Sequence, residues 1–187
     1  YSNATPTPLN FPSDDDPNIP ASSTFSNQTF TQMMDAMLYP TLNPTLTPPS
    51  SNFSTSTSGQ QIVGTVISSL DLDATFNRGL ISPQYSPTSS PFRSGLPNTY
   101  TYGTPSGTVT QNSTALSDTL TLTNYTVTVG VQSFINNVTF SVGVQPYNNK
   151  GVVYDSPLNP GTTNTITKTI TGAYPVFGTS VNITTLT

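Results

Sequence analysis

From residue 108 onward apolar and polar side chains alternate with a period of two, and that periodicity restricts the chain to strands. Phe134, Val138, Phe140, Val142 and Val144 share one parity across 134–144, which predicts a half-buried strand. Residues 119–131 alternate too, but the apolar phase passes from Leu120 and Leu122 to Tyr125, Val127, Val129 and Val131. A β-bulge or a bend near Asn124 would turn the face in this way. Residues 162–171 put Ile166, Lys168 and Ile170 on one face, and a Lys between two Ile reads as the guard of an edge strand. Residues 146–151 and 157–161 read as turns, 152–154 as a short strand, and 176–187 as a closing strand. Strands at this spacing predict an all-β fold, an antiparallel β-sandwich.

The first hundred residues differ. They hold 13 of the 18 Pro and only two of the 13 Val. Residues 61–67 (QIVGTVI) are a strand candidate, and Leu70, Leu72, Ala74 and Phe76 continue the alternation in a shifted phase. Residues 31–38 form the one helical stretch. Thr31 is its expected cap, Phe30, Met33, Met34, Met37 and Leu38 make an apolar stripe, and Pro40 stops it. So short a helix is expected to plug the sandwich. Residues 40–59 and 82–99 read as Pro/Ser/Thr-rich loops. The organisation expected is a tail over 1–31 carrying a donor-strand segment, then a single β-sandwich domain over 32–187.

The tail has a parity of its own. Pro6, Pro8, Pro12 and Pro20 all stand at even positions. Successive residues of a strand aim their N–H groups at opposite edges, so these prolines blank the same edge. The odd edge of residues 1–11 stays free to pair, and Tyr1, Leu9 and Phe11 share one face. Such a segment is suited to adding onto another sheet. Residues 21–31 compete for the role: they contain no Pro, yet Phe25 and Phe30 fall on opposite faces.

Composition excludes much of chemistry. Only Arg78, Arg93, Lys150 and Lys168 are cationic on a chain of net charge −4, too few to displace counterions from nucleic acid. His, Cys, Trp and Glu are absent, which removes His-based triads, thiolates, zinc sites built on His or Cys, and Glu acid/base pairs. The expectation is that the protein is not an enzyme and has no catalytic residues. The clusters Asp14–Asp16 and Asp71/Asp73 follow no calcium-loop spacing, so no metal and no cofactor is expected. Lys150 and Lys168 lie in turn and edge-strand contexts, unsuited to Ser–Lys catalysis; no motif supports a Lys–Asn crosslink, and Arg78 and Arg93 read as loop residues at the surface or in contacts. No run is long and apolar enough to span a membrane. With eight Asp as the only carboxylate side chains, stability is expected to change little down to about pH 3.

The chain opens Tyr1-Ser2-Asn3, without an initiator Met or a signal-like segment, and reads as a mature chain freed of a targeting peptide. Thr, Ser and Asn supply 76 of 187 residues, and N-x-[ST] triplets occur at Asn3, Asn27, Asn52, Asn112, Asn124, Asn137 and Asn182. Chance alone would give about five. A surface nearly free of charge needs another means of staying wetted, and N-linked glycans supply one. An extracellular, cell-surface location follows as the expectation.

The tail YSNATPTPLNF and the body segments TLTLTNYTVTVGV and NNVTFSVGVQPY resemble the subunits of archaeal extracellular filaments of the thread type. The resemblance implies an Ig-like or pilin-like sandwich whose tail completes the sheet of the next subunit, giving a head-to-tail homopolymer used in adhesion or cell–cell contact. The donor-strand residues it implies are Tyr1, Leu9, Phe11, Phe25 and Phe30. Type IV pilins keep a long apolar N-terminal helix, which residues 1–20 do not have. The alternative is a glycosylated viral capsid or decoration protein, or a monomeric adhesion domain.

Overall fold

A computed structural model describes residues 29–176. One helix, α1 (Phe30–Leu38), precedes eleven strands: β1 (Thr45–Thr47), β2 (Ser50–Thr55), β3 (Gly59–Ile62), β4 (Val66–Asn77), β5 (Leu80–Ser82), β6 (Pro97–Thr104), β7 (Gly107–Asn112), β8 (Ser117–Thr126), β9 (Gly130–Phe140), β10 (Gly161–Thr162) and β11 (Ile166–Ala173). The chain is all-β. One sheet runs β3-β11-β9-β6-β7, with β10 also on β9; a second runs β2-β4-β8; β1 and β5 form a small ribbon. The pairing is antiparallel except between β11 and β3, which run parallel, so the larger sheet is mixed rather than purely antiparallel.

Alternation explains the core. On β4, Leu70, Leu72, Ala74 and Phe76 point inward; on β6, Tyr100 and Tyr102; on β9, Phe134, Val138 and Phe140; each is buried. These side chains, with Phe53 and Ile170, form one cluster fed by both larger sheets. Three aromatic pairs join the sheets: Phe53 with Tyr102 at 6.3 Å, Phe76 with Phe140 at 5.7 Å, and Tyr125 with Phe134 at 5.5 Å between ring centroids.

The phase change near Asn124 is real, but it is not a bulge. Asn124 sits at φ 52, the one non-glycine residue with positive φ among the described residues. Asn reaches this region at lower cost than most residues. The β4–β8 register keeps the same offset on either side, at Ile67↔Tyr125 and Ser69↔Thr123, and skips Ser68 and Asn124 between them, so both strands change face at the same level.

Several expectations give way. Residues 61–67 are not one strand: β3 ends at Ile62, Gly64 turns at φ 88, and β4 begins in the other sheet. The supposed loop over 40–59 contains β1 and β2, and Phe53, the single apolar side chain of β2, is buried in the core. The stretch 82–99 is a loop only between β5 and β6, since Ser82 and residues 97–99 belong to strands. Val142 does not continue β9; the strand stops at Phe140, Ser141 and Gly143 bond instead to the carbonyls of Leu96 and Leu158, and Val142 is 54% exposed. β11 is an interior strand where β3 covers Ile170–Ala173, and an edge only before that, where Lys168 lies. Residues 152–154 contribute one bridge, Tyr147↔Val153. Residues 174–176 are not in a strand, and the rest of the expected closing strand lies outside the described residues.

The helix is capped by Thr29, not Thr31. Thr29 and Gln32 form a reciprocal capping box, whereas three residues after Thr31 stands Met34, which cannot return the bond. The tail boundary expected at 31/32 therefore falls inside the first turn of α1. Of the apolar stripe, Met34 is half-buried while Met37 and Leu38 are each more than 60% exposed. After α1 the chain is tied down by Asn149, whose side chain donates to the Pro40 carbonyl and accepts from the Leu42 amide.

The two arginines are structural rather than surface residues. Arg93 is buried, pairs with Asp155 at 2.7 Å and donates to the Ser156 carbonyl. Arg78 donates twice to the Ser94 carbonyl and lies 4.3 Å over the Phe92 ring. Together they pin the loop between β5 and β6.

Candidate assembly surface

β7 and β8 are consecutive strands joined by residues 113–116, yet they belong to different sheets. Among the described residues each is an edge: β7 pairs only with β6, and β8 only with β4. Cross-strand partners share a face. Val109 is paired with Tyr102 and Gln111 with Tyr100, so both point to the side on which the two tyrosines are fully buried. Val109 is nevertheless 39% exposed. On β8, Leu120 and Leu122 pack against the core but are only half-buried, and Leu116 in the connecting loop is 48% exposed. The smaller sheet thus ends at β8 while the larger one continues opposite it, and inward-pointing apolar side chains are left partly uncovered along that flank.

Soluble proteins guard such edges with Lys, Pro or bulges. No Lys, Arg or Pro occurs from residue 106 to residue 145. The other flank is better closed. Phe53 on β2 is fully buried, Ser51 Oγ donates to Thr163 Oγ1 at 2.9 Å, and Lys168 stands on the open part of β11. β3 offers four residues.

Polar groups fix this flank. The Tyr102 hydroxyl donates to Asp118 Oδ2 at 3.0 Å and the Tyr100 hydroxyl to the Ala115 carbonyl at 2.6 Å. Burial pushes the Tyr100 phenol up to about 12, with the Asp118 charge adding to it. Tyr102 is raised further, by burial first and then by its hydrogen bond to Asp118. Burial also raises Tyr125, whose hydroxyl donates to Gln132 Oε1 at 2.6 Å. On the outer face of the same sheet Asp71 accepts from Thr121 and Ser69, and Asp73 from Thr119. These carboxylates are employed in cross-strand bonds. Among the described residues no three metal-ligating side chains stand together, and no helix is long and apolar enough to cross a membrane.

Of the glycosylation candidates, Asn52, Asn112 and Asn124 are exposed. Asn137 points outward as its parity requires, yet it is only half-exposed, because β9 is an interior strand with β6 and β11 on either side. Asn3, Asn27 and Asn182 lie outside the described residues, as do Tyr1, Leu9, Phe11, Phe25 and Asp14–Asp16. Phe30 opens α1, not a strand. Lys150 lies in the turn between Tyr147 and Val153, its amide bonded to Asn148 Oδ1.

Two polar core residues escaped the sequence reading. Asn136 is fully buried, donating to the Thr101 carbonyl at 3.2 Å while its Oδ1 has no hydrogen-bond partner. Gln132 is buried beside Tyr125. Both have the parity of Phe134 and Val138, and that parity was the available signal. No protein-family model matches this chain, and no curated protein matches it.

Proposed function

We propose that this protein is the structural subunit of an extracellular, pilus-like surface filament, a glycosylated β-sandwich of Ig-like or pilin-like type. In this reading its subunits are joined head-to-tail by donor-strand complementation and serve adhesion or cell–cell contact. The observation that carries the reading is the β7–β8 flank, with two adjacent edges that carry no Lys, Arg or Pro and apolar side chains left half-covered between the sheets. A strand from another copy would add backbone bonds and apolar burial there together. Such a contact joins unlike surfaces and does not close, so it propagates as a fibre.

Electron microscopy of the native material should show fibres with a regular axial repeat; dispersed single particles would overturn the reading. Leu9→Asp and Phe11→Asp should abolish or severely weaken polymerisation, whereas Leu42→Asp, in the exposed segment after α1, should leave it near normal. Sedimentation of the assembled material measures both.

The glycan part has its own check. Asn52, Asn112 and Asn124 should carry glycans at high occupancy and Asn137, half-covered by its neighbouring strands, at lower occupancy. Intact mass of the native protein should exceed 19.8 kDa accordingly, and a bare chain would refute it.

A further inference from the structure

We infer that the strand received beside β8 is residues 1–11 of a second copy, with Leu9 and Phe11 turned inward and Pro6 and Pro8 turned out to solvent. The inference rests on the filament reading and names the partner segment and the edge that takes it.

The argument begins with the number of edges the site demands. A strand laid against β8 has one neighbour only, since β8 ends its sheet. Pairing on one side is what residues 1–11 can offer: the prolines at even positions remove N–H groups from one edge and leave the odd residues free to bond. The odd residues that bond are also those whose side chains share a face, so pairing through the odd edge points Leu9 and Phe11 to one side. Turned inward, they cover Val109 and the half-buried Leu120 and Leu122. The even edge then becomes the new margin of the sheet, and its prolines are the guards that β8 lacks.

Placement on β7 is the poorer solution. It would extend a sheet that already overhangs the three-stranded one and leave the inner face of the added strand with nothing opposite. The rival segment is shortened by the fold itself, because Thr29 caps α1 and Phe30 and Thr31 are helical. What remains, 21–28, is eight residues against the ten of β8, while residues 1–11 match its length. Residues 12–29 form an eighteen-residue connection that can extend about 60 Å, enough to reach a neighbouring copy.

The chain has no cysteine, so pairs can be introduced into a clean background. Facing residues on adjacent strands approach closely enough for a disulfide. Full-length Leu9→Cys carrying either Leu120→Cys or Leu122→Cys is assembled, oxidised and run without reductant, with Leu9→Cys/Thr55→Cys, which shares the inward parity of Phe53, as the comparison at the β2 edge. The expected result is fibres by microscopy and a ladder of covalent multimers from at least one β8 pair, with none from the β2 pair. Fibres that crosslink to the β2 position, or to neither, overturn the placement while leaving the filament intact. A disulfide confined to the monomer places the tail on its own domain and overturns both, as does the absence of fibres from single-cysteine and unmodified chains alike.

Discussion

Phe134→Ala should destabilise the protein by about 3–5 kcal/mol, the range for removing a large buried aromatic side chain. Phe134 has no solvent exposure, meets Tyr125 edge-on at 5.5 Å, and belongs to the cluster shared by the two larger sheets. The loss matters because the core is lean. Leu, Ile, Val and Phe number only 43 of 187 residues, and no disulfide or charge network can offset a cavity. Domains of this size are stable by only about 5–15 kcal/mol in all, so the substitution removes a large fraction of the total. Phe92→Ala is the contrasting case. Phe92 is 37% exposed and lies under the Arg78 guanidinium, so about 0.5–1 kcal/mol is expected from that contact. Urea unfolding of the two variants, at unchanged m-value, should give midpoints that differ several-fold in their displacement from the parent. Equal displacements would mean that the two sheets are not held by this cluster.

The same core shows what a sequence of this composition discloses and what it withholds. Where apolar residues recur, the face is legible: Leu70 to Phe76 and Phe134 to Phe140 alternate as written, and the change of phase at Asn124 marks the level where it occurs. Where a strand spends one apolar residue, there is no period to detect, and β2, with Phe53 alone among Ser, Thr and Asn, looks like a loop. Periodicity also reports faces and not neighbours. Lys168 between two isoleucines reads as an edge, but whether β11 has one partner or two is decided by β3, more than a hundred residues away. The candidate site lies on that blind side. That β7 and β8 are both edges follows from the strand order, which long-range pairing sets. The missing guards from 106 to 145 were legible, since they are a plain absence of Lys, Arg and Pro.

Raising the pH beyond 10 should unfold the protein steeply, and the cause is the three hydrogen-bonded tyrosines along the β8 side of the core. In the unfolded chain a phenol ionises near 10. In the folded chain Tyr100 holds its proton to about 12, Tyr102 holds its own longer still, and Tyr125 is also raised. Below pH 10 both states are protonated and the phenols contribute no pH dependence. Above it the unfolded state releases protons that the native state keeps, so stability falls as pH rises, and for Tyr100 the loss runs from about 10 to 12. Each such phenol contributes a slope approaching about 1.4 kcal/mol per pH unit, so Tyr100 and Tyr102 together approach about 2.7. Tyr102→Phe separates this from general alkaline damage. It should cost about 1–3 kcal/mol at neutral pH, where Asp118 loses its donor, and should flatten the alkaline slope by about 1.4 kcal/mol per unit. Urea midpoints measured from pH 7 to 12, alongside the phenolate absorbance, report both quantities. The parent should show three of its nine tyrosines ionising only as the fold opens. If instead all nine ionise while the fold is intact, the Tyr100 and Tyr102 hydroxyls are open to water, and the inner wall of the proposed acceptor flank is not closed beneath β8.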